Sequence, residues 1–510
     1  MKLKNKTFQT DEPPKSIVGL FSVASCFYEA FFEFITLFSL LYVQLASPIT
    51  QSGPENYRPM LLAITFGLVF VKILVGLGYT FMGYIIDKRD YPFGRYRTFI
   101  LIGSTLTTLF FSMLFFVTPL FHGWTYVVMF LLFYFLTYLC YAANDVAFFS
   151  YLNTFTSDEK RKSMYSSIVN SIGVVGAYIT ASLSPSITAI DAKRNMTIFA
   201  LVLVVFYYVF QLLLGIFMKE RETLPLEKTA GMDSIFSPLK LCFRDRQILL
   251  TMGVFLLLFV AQDLVIGNSA NYFYYEFGYG NFSVHGIQGG PSGGRVSFFF
   301  TLFFGVGNAL SGLLYPLFAK RLSKKQILEI FGGLVVVIYL LLFFVGFKRG
   351  HENLLYFLSF CLSFVHGIIY TPLFVNCFEL REYYQAKTGQ DKNGSIQGIR
   401  GAIPSLANAL QVALFYLFLS SSGLVETNER IAQFESCQAS GGVCLSLSGL
   451  NDSILQGVSD FSKNVYLSSM TFLPLVLTLL AIVLTVFFVK VNDERFYCQC
   501  VLKIKEKERA

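Results

Sequence analysis

The sequence predicts an all-α membrane protein with about twelve transmembrane helices in two six-helix bundles, and three observations carry that class. Of 510 residues, 54% are hydrophobic and only 14% charged, where a soluble domain is roughly one quarter charged. Fifty-seven Phe and 29 Tyr fall in apolar runs, most of them about 18 residues or longer, the length that crosses a hydrocarbon core. Lys and Arg gather in alternate connecting segments, as they do where basic residues hold loops on the cytoplasmic side.

Taken in order, the predicted spans are 17–47, 58–86, 97–118, 124–153, 164–186, 197–218, 247–278, 296–319, 327–347, 353–380, 400–421 and 465–490. An even number places both termini on one side. The two tails and the five connections on that side hold 28 of the 40 Lys and Arg, and the opposite loops hold 7; Arg58, Lys72, Arg97, Arg400 and Lys490 lie within or at the edge of spans. Both termini are therefore expected in the cytoplasm of a multi-pass cell-membrane protein. The first sixteen residues are polar and contain Pro13 and Pro14, so no cleavable signal is expected. The connection 219–246 is the longest on the basic side. It predicts a division into a first bundle (1–218), a cytoplasmic linker (219–246), a second bundle (247–490) and a basic tail (491–510). The outer loops 279–295 and 422–464 are polar, and mobility is expected of both.

The net charge of +8 would suggest nucleic acid in a soluble chain; here it is a topology signal, and no nucleic-acid partner is expected. Nine Cys without CxxC or Cys/His spacing predict no metal site. Cys437 and Cys444 share an outer loop, where either a small disulfide or two free thiols fits the spacing. No P-loop and no nucleophile–base constellation is present, which argues against an ATP-driven pump and an enzyme. No cofactor is expected, and the chain is read as a monomer.

Ionisable side chains inside apolar spans are expensive and mark polar interiors. The first span carries Glu29 and Glu33, spaced i, i+4 on one helix face. Asp145 lies in the stretch Tyr141–Lys162 (YAANDVAFFSYLNTFTSDEKRK) beside Asn144 and Ser150, with Ala142 and Ala143 permitting close helix packing. The seventh span adds Asp263. Lys72 sits about fourteen residues from either end of its span, roughly 21 Å at 1.5 Å per residue, too far to snorkel, so it requires an internal partner. It is either a tethered cation or one side of an ion pair bracing the first two spans; Asp145 is either a ligand or a carboxylate satisfied by neighbouring polar groups.

Four segments resemble the glycoside–pentoside–hexuronide:cation symporters, the melibiose-permease-like family of the major facilitator superfamily. MGYIIDKRDYPFGRYR at 82–97 is similar to the loop after that family's second span. Tyr141–Lys162 resembles its fourth span and following loop, NYFYYEFGYG at 271–280 its seventh-span ending, and ELREYYQAKTG at 379–389 its tenth-span exit. The resemblance implies a major-facilitator fold in which two bundles rock around a central site. It implies charged contacts between cytoplasmic helix ends by Asp87, Arg89, Arg95 and Arg97, and in the second half by Glu379, Glu382 and Lys387. It places Asp145 at the family's fourth-span cation and sugar aspartate, and Tyr79, Phe148 and Tyr383 as pocket or gate aromatics.

The departures are specific. The family's two second-span carboxylates are Val75 and Tyr79 here, its fifth-span arginine falls at Asn170, and its eleventh-span lysine falls near Ser405. Asn144, Asp145, Glu29, Glu33, Lys72, Tyr79, Asp263 and Asn170 are the candidate solute and ion residues. The expected function is secondary active transport of a small polar solute, a sugar or glycoside, without sodium. Coupling would run to H+ through Glu29 or Glu33, or be absent in a uniporter. The alternatives are a lysophospholipid carrier of the same superfamily branch and a non-transporting receptor or scaffold. The buried charges weigh against the scaffold.

Overall fold

The structure, a computed structural model, describes residues 15–39, 42–43, 47–51, 54–88, 94–152, 159–188, 192–218, 237–388, 393–440, 445–493, 495–496 and 499–500. Long helices dominate. They are α1 (Lys15–Glu33), α2 (Pro54–Lys88), α3 (Arg95–Ser112), α4 (Gly123–Leu152), α5 (Glu159–Thr188) and α6 (Ala192–Phe217). A short helix α7 (Ser237–Arg244) follows, then α8 (Arg246–Phe277), α9 (Gly293–Ala319), α10 (Lys324–Leu341), α11 (Glu352–Thr388), α12 (Asn393–Ser421), three shorter helices, and α16 (Phe472–Phe488). The three shorter helices are α13 (Val425–Ser440), α14 (Leu447–Gly457) and α15 (Asp460–Ser468).

Eleven helices among the described residues are long and apolar enough to cross a membrane. The fifth predicted span, 164–186, is helical over Glu159–Thr188, but only Ile168–Leu183 is apolar. Ser, Gly and Thr are frequent in it, which lowers its hydropathy while suiting close contact with other helices.

The surface is apolar and the interior mixed, the reverse of a soluble domain. Phe66, Phe70, Trp124 and Phe217 are among many exposed large hydrophobics, while Asn144, Gln211, Asn268 and Asn376 are fully buried. α2 packs along α12, and α5 along α9, so the first six spans meet the last six through these pairs; α1 packs on α5 and α6. Small residues allow it. Gly176 of α5 abuts the Cys26 backbone of α1 so closely that any Cβ there would overlap the carbonyl.

The connections 279–295 and 422–464 depart from expectation. Far from a mobile polar stretch, most of 422–464 folds as helices against the Phe277 end of α8. Ile431 and Phe434 on α13, and Leu450 and Ile454 on α14, are buried, an apolar helical spacing hidden within a polar average. Tyr279 donates to Glu435 (2.7 Å), Tyr275 to Asn428 (2.6 Å), and Lys463 pairs with Glu276 (2.8 Å). The Asn451 side chain is spent on the Tyr279 backbone, accepting from its N–H and donating to its carbonyl. Across to the first six spans, Arg58 of α2 donates to Glu429 of α13 at 2.7 and 3.0 Å. The loop 279–295 is likewise organised: Gly278, left-handed at φ 96°, ends α8, and Gly293 donates back to its carbonyl at 2.8 Å. Cys437 is disulfide-bonded; Cys444 lies outside the described residues.

Candidate functional site

The helices place the charges within the spans in two centres, Lys72 buried and Glu29, Glu33, Asp145, Asp263 and Arg400 half-buried. In the first, Tyr141, Asp145 and Phe148 occupy one face of α4 at i, i+4 and i+7. The ring of Tyr28 from α1 is stacked between Tyr141 (4.7 Å) and Phe148 (5.0 Å), and this sandwich aims its hydroxyl at Asp145, to which it donates. α12 closes the centre. Gly401 is so placed that a Cβ would stand 2.9 Å from the Tyr79 ring and 3.6 Å from the Asp145 carboxylate. Arg400, one residue before, lies over the Phe149 ring at 5.1 Å, and its charge acts on both Glu29 and Asp145. Gly173 of α5 leaves room for the Glu29 side chain.

The second centre lies one helical turn further along α1. There Glu33, Asp263 of α8 and Lys72 of α2 are close enough for their charges to act on one another. Lys72 is 2% exposed. Its ammonium donates to the Asn408 side chain of α12 and faces the rings of Tyr138 (5.5 Å) and Tyr134 (5.9 Å); among the described residues no carboxylate pairs with it within ion-pair distance. The required internal partner is thus an amide and two aromatic faces, which stabilise a cation without neutralising it. The Glu29 and Glu33 pair that shares one helix face is split between the two centres, about 6 Å apart along the axis.

Two candidates stand apart. Asn144 points away from Asp145 and is fully buried against α6, donating to Tyr207 at 2.9 Å and to Gln211 at 3.4 Å; neighbours on a helix differ by about 100° in direction, so Asp145 and Asn144 cannot face the same space. Asn170 is exposed on α5, and no hydrogen bond or charge contact among the described residues ties it to either centre.

The cytoplasmic-motif candidates hold helix ends together. Arg97 donates to the carbonyls of Gly215 (2.6 Å) and Ile216 (3.4 Å) at the end of α6. Glu379 of α11 receives Lys324, at the start of α10, on both oxygens at 2.8 Å. Lys387 donates to Asp245 at 2.7 Å, with the Tyr383 hydroxyl 3.3 Å away. Asp245 also caps α8, accepting from the N–H groups of Gln247 and Ile248. Burial alone would raise its carboxyl, yet the hydrogen bonds from Lys387, Gln247 and Ile248 and the Lys387 charge hold it below the usual carboxylate range. Arg89 lies outside the described residues, as do the side chains of Asp87, Arg95 and Glu382.

Sequence reasoning missed Arg400 and Asn408, and with them a cluster of Tyr178, Gln262 and Asn308. Asn408, Gln262 and Asn308 stand in apolar spans just as Asp145 does, so the same criterion extended to amides would have found them. Nothing in the chain around Tyr28 distinguishes it from 28 other tyrosines; only the α1–α4 packing does.

Comparison with known proteins agrees with this architecture. The chain is 21% identical over 403 residues to the raffinose carrier protein of Pediococcus pentosaceus, covering 75% of this chain and 58% of that protein, less than two thirds of the carrier's own length. It is 22% identical over 509 residues to the lactose permease of Lactobacillus helveticus, covering 96% of this chain and 71% of the permease. Among solved structures, that of a D-xylose-proton symporter superposes with a TM-score of 0.55 at 13% identity, over 88% of this chain and 99% of the other. A bacterial homologue of the human lysosomal transporter Spinster, inward-facing and unoccupied, gives 0.52 at 12% identity over 97% of this chain and 98% of that one. These likenesses show a major-facilitator fold of two six-helix bundles. The profile of the MFS/sugar transport protein family matches residues 58–493, well over half of the 510, and the chain belongs to that family.

Proposed function

We propose that this protein is a secondary active carrier that moves a sugar or glycoside across the membrane by alternating access, with protons as the coupling ion. The observation that carries the reading is the pair of charge centres, each built from both sets of six spans. Glu29 and Asp145 meet Arg400, and Glu33 and Lys72 meet Asp263. Residues from opposite sides of an interface form a site that exists in full only in one arrangement of the bundles, so a ligand bound there biases their relative position. The raffinose, lactose and xylose names of the relatives support a sugar as the solute.

The charge balance supports the proton. Four carboxylates (Glu29, Glu33, Asp145, Asp263) share the interior with two cations (Lys72, Arg400), an excess of two acids. Uncompensated charge at such depth is costly, and a proton is the smallest cation that relieves it. A sodium ion needs several oxygen ligands; the family's second-span carboxylates are missing here, and Lys72 already brings a positive charge to the second centre.

A thermal-shift screen of the purified protein against mono- and disaccharides, nucleosides and lysophospholipids tests the solute, since a ligand of the folded state raises Tm by mass action. Stabilisation by sugars alone supports the reading; stabilisation by lysolipids alone replaces it. Orientation has its own test. With both termini cytoplasmic, single cysteines at exposed Lys240 and Ser283 should react with an impermeant maleimide from opposite sides of the membrane. Reaction of both from one side would break the proposed topology, and reaction of Lys240 from outside with Ser283 from the cytoplasm would invert it.

A further inference from the structure

Tyr178 of α5, Gln262 of α8 and Asn308 of α9 meet at a point where the two sets of six spans touch, and no part of the charge machinery uses them. The Tyr178 oxygen accepts from the Gln262 amide at 2.6 Å and from the Asn308 amide at 3.0 Å. Tyr178 is 8% exposed, whereas Gln262 and Asn308 are half-buried and so remain open to a neighbouring space. Its place is reserved: Gly305, one turn before Asn308, has the Tyr178 side chain where its Cβ would be. The charges of Glu33 and Asp263 act on it, which sets the trio beside the second centre.

The hydrogen-bond count is uneven. Both lone pairs of the Tyr178 oxygen are engaged, so its O–H is left as a donor only. Gln262 and Asn308 each keep a carbonyl oxygen and a second N–H, and no described residue engages any of these groups. A bracing contact between helices requires one bond. Here three side chains hold five unspent donors and acceptors (three N–H or O–H, two carbonyls) in a half-buried position, where leaving them unmet costs free energy.

We infer that Tyr178, Gln262 and Asn308 form a subsite for a vicinal diol of a neutral polyhydroxylated solute. Each hydroxyl of such a diol both donates and accepts, matching an amide carbonyl beside an amide or phenolic hydrogen. An apolar or anionic group would leave the carbonyls unpaired. This rests on the sugar reading above and adds which part of the solute is held, and by which side chains.

The test pairs protein variants with ligand variants. Binding of the best sugar from the thermal-shift screen is measured calorimetrically for the wild type, Tyr178→Phe and Asn308→Ala, alongside its single-position deoxy analogues. Each variant is expected to weaken the parent sugar about tenfold, the scale of one buried hydrogen bond. For one deoxy analogue of the parent, already weakened on the wild type, the variants should cause no further loss. Equal weakening of every analogue, or none at all, assigns the trio to helix bracing and overturns the subsite. Should Tyr178→Phe fail to fold, Asn308→Ala and the deoxy series on the wild type decide alone: no position-specific loss overturns the inference. Wild-type protein that binds no sugar sinks the sugar reading, and the subsite with it, a result distinct from sugar binding that ignores the variants.

Discussion

Asp145→Asn is expected to abolish transport while leaving the amount of protein in the membrane unchanged. The Tyr28 hydroxyl, fixed between two rings, still finds an acceptor in the amide oxygen, so the α1–α4 contact survives. What disappears is the charge that faces Arg400 across the α4–α12 interface. Arg400 is left with Glu29 as its one acidic counterpart in that centre, and losing a member of such a charge group costs about a hundredfold or more. Asp145→Glu restores the charge with a longer stem and should recover part of the activity. Uptake into proteoliposomes, normalised to folded protein, measures both; full activity in Asp145→Asn would reduce Asp145 to a structural residue.

Lys72→Met should be as severe, for a different reason. Methionine fills much of the same volume between Tyr134 and Tyr138, but the Asn408 carbonyl loses its donor, and Glu33 and Asp263 lose the compensating cation that acts on them among the described residues. Breaking such a buried arrangement costs on the order of a hundredfold in the affected equilibrium. The wild type, with its own ammonium in place, should transport equally in sodium, lithium and choline media at fixed pH. Strong stimulation of wild-type uptake by sodium would refute the tethered-cation reading. A Lys72→Met protein that is less stable yet transports normally per folded molecule would make Lys72 a brace between helices.

The class of this protein and its list of buried charges were legible from the chain because both follow from one-dimensional quantities. A run of apolar residues long enough to span a bilayer is visible without knowing its neighbours, and so is an Asp, Glu or Lys within it. The shorter helices α13–α15 escaped that reading. Their apolar positions bury against α8 at helical spacing, while a polar average over 422–464 suggests a loose loop.

Partnership was beyond the chain's reach. Glu29 and Glu33 share a helix face, yet they serve different centres because Arg400 of α12 and Asp263 of α8 arrive at different heights. Lys72 called for a partner, and an acid was the natural expectation; packing against α12 supplied Asn408. Asn144 stands beside Asp145 in sequence but points into α6. Sequence alone determined that this chain crosses a membrane and bears charges within it, since hydropathy and desolvation cost belong to each segment separately. Which charges meet, and which amides accompany them, was decided only by the packing of α2 on α12 and of α5 on α9, because a contact between helices is a property of neither sequence taken singly.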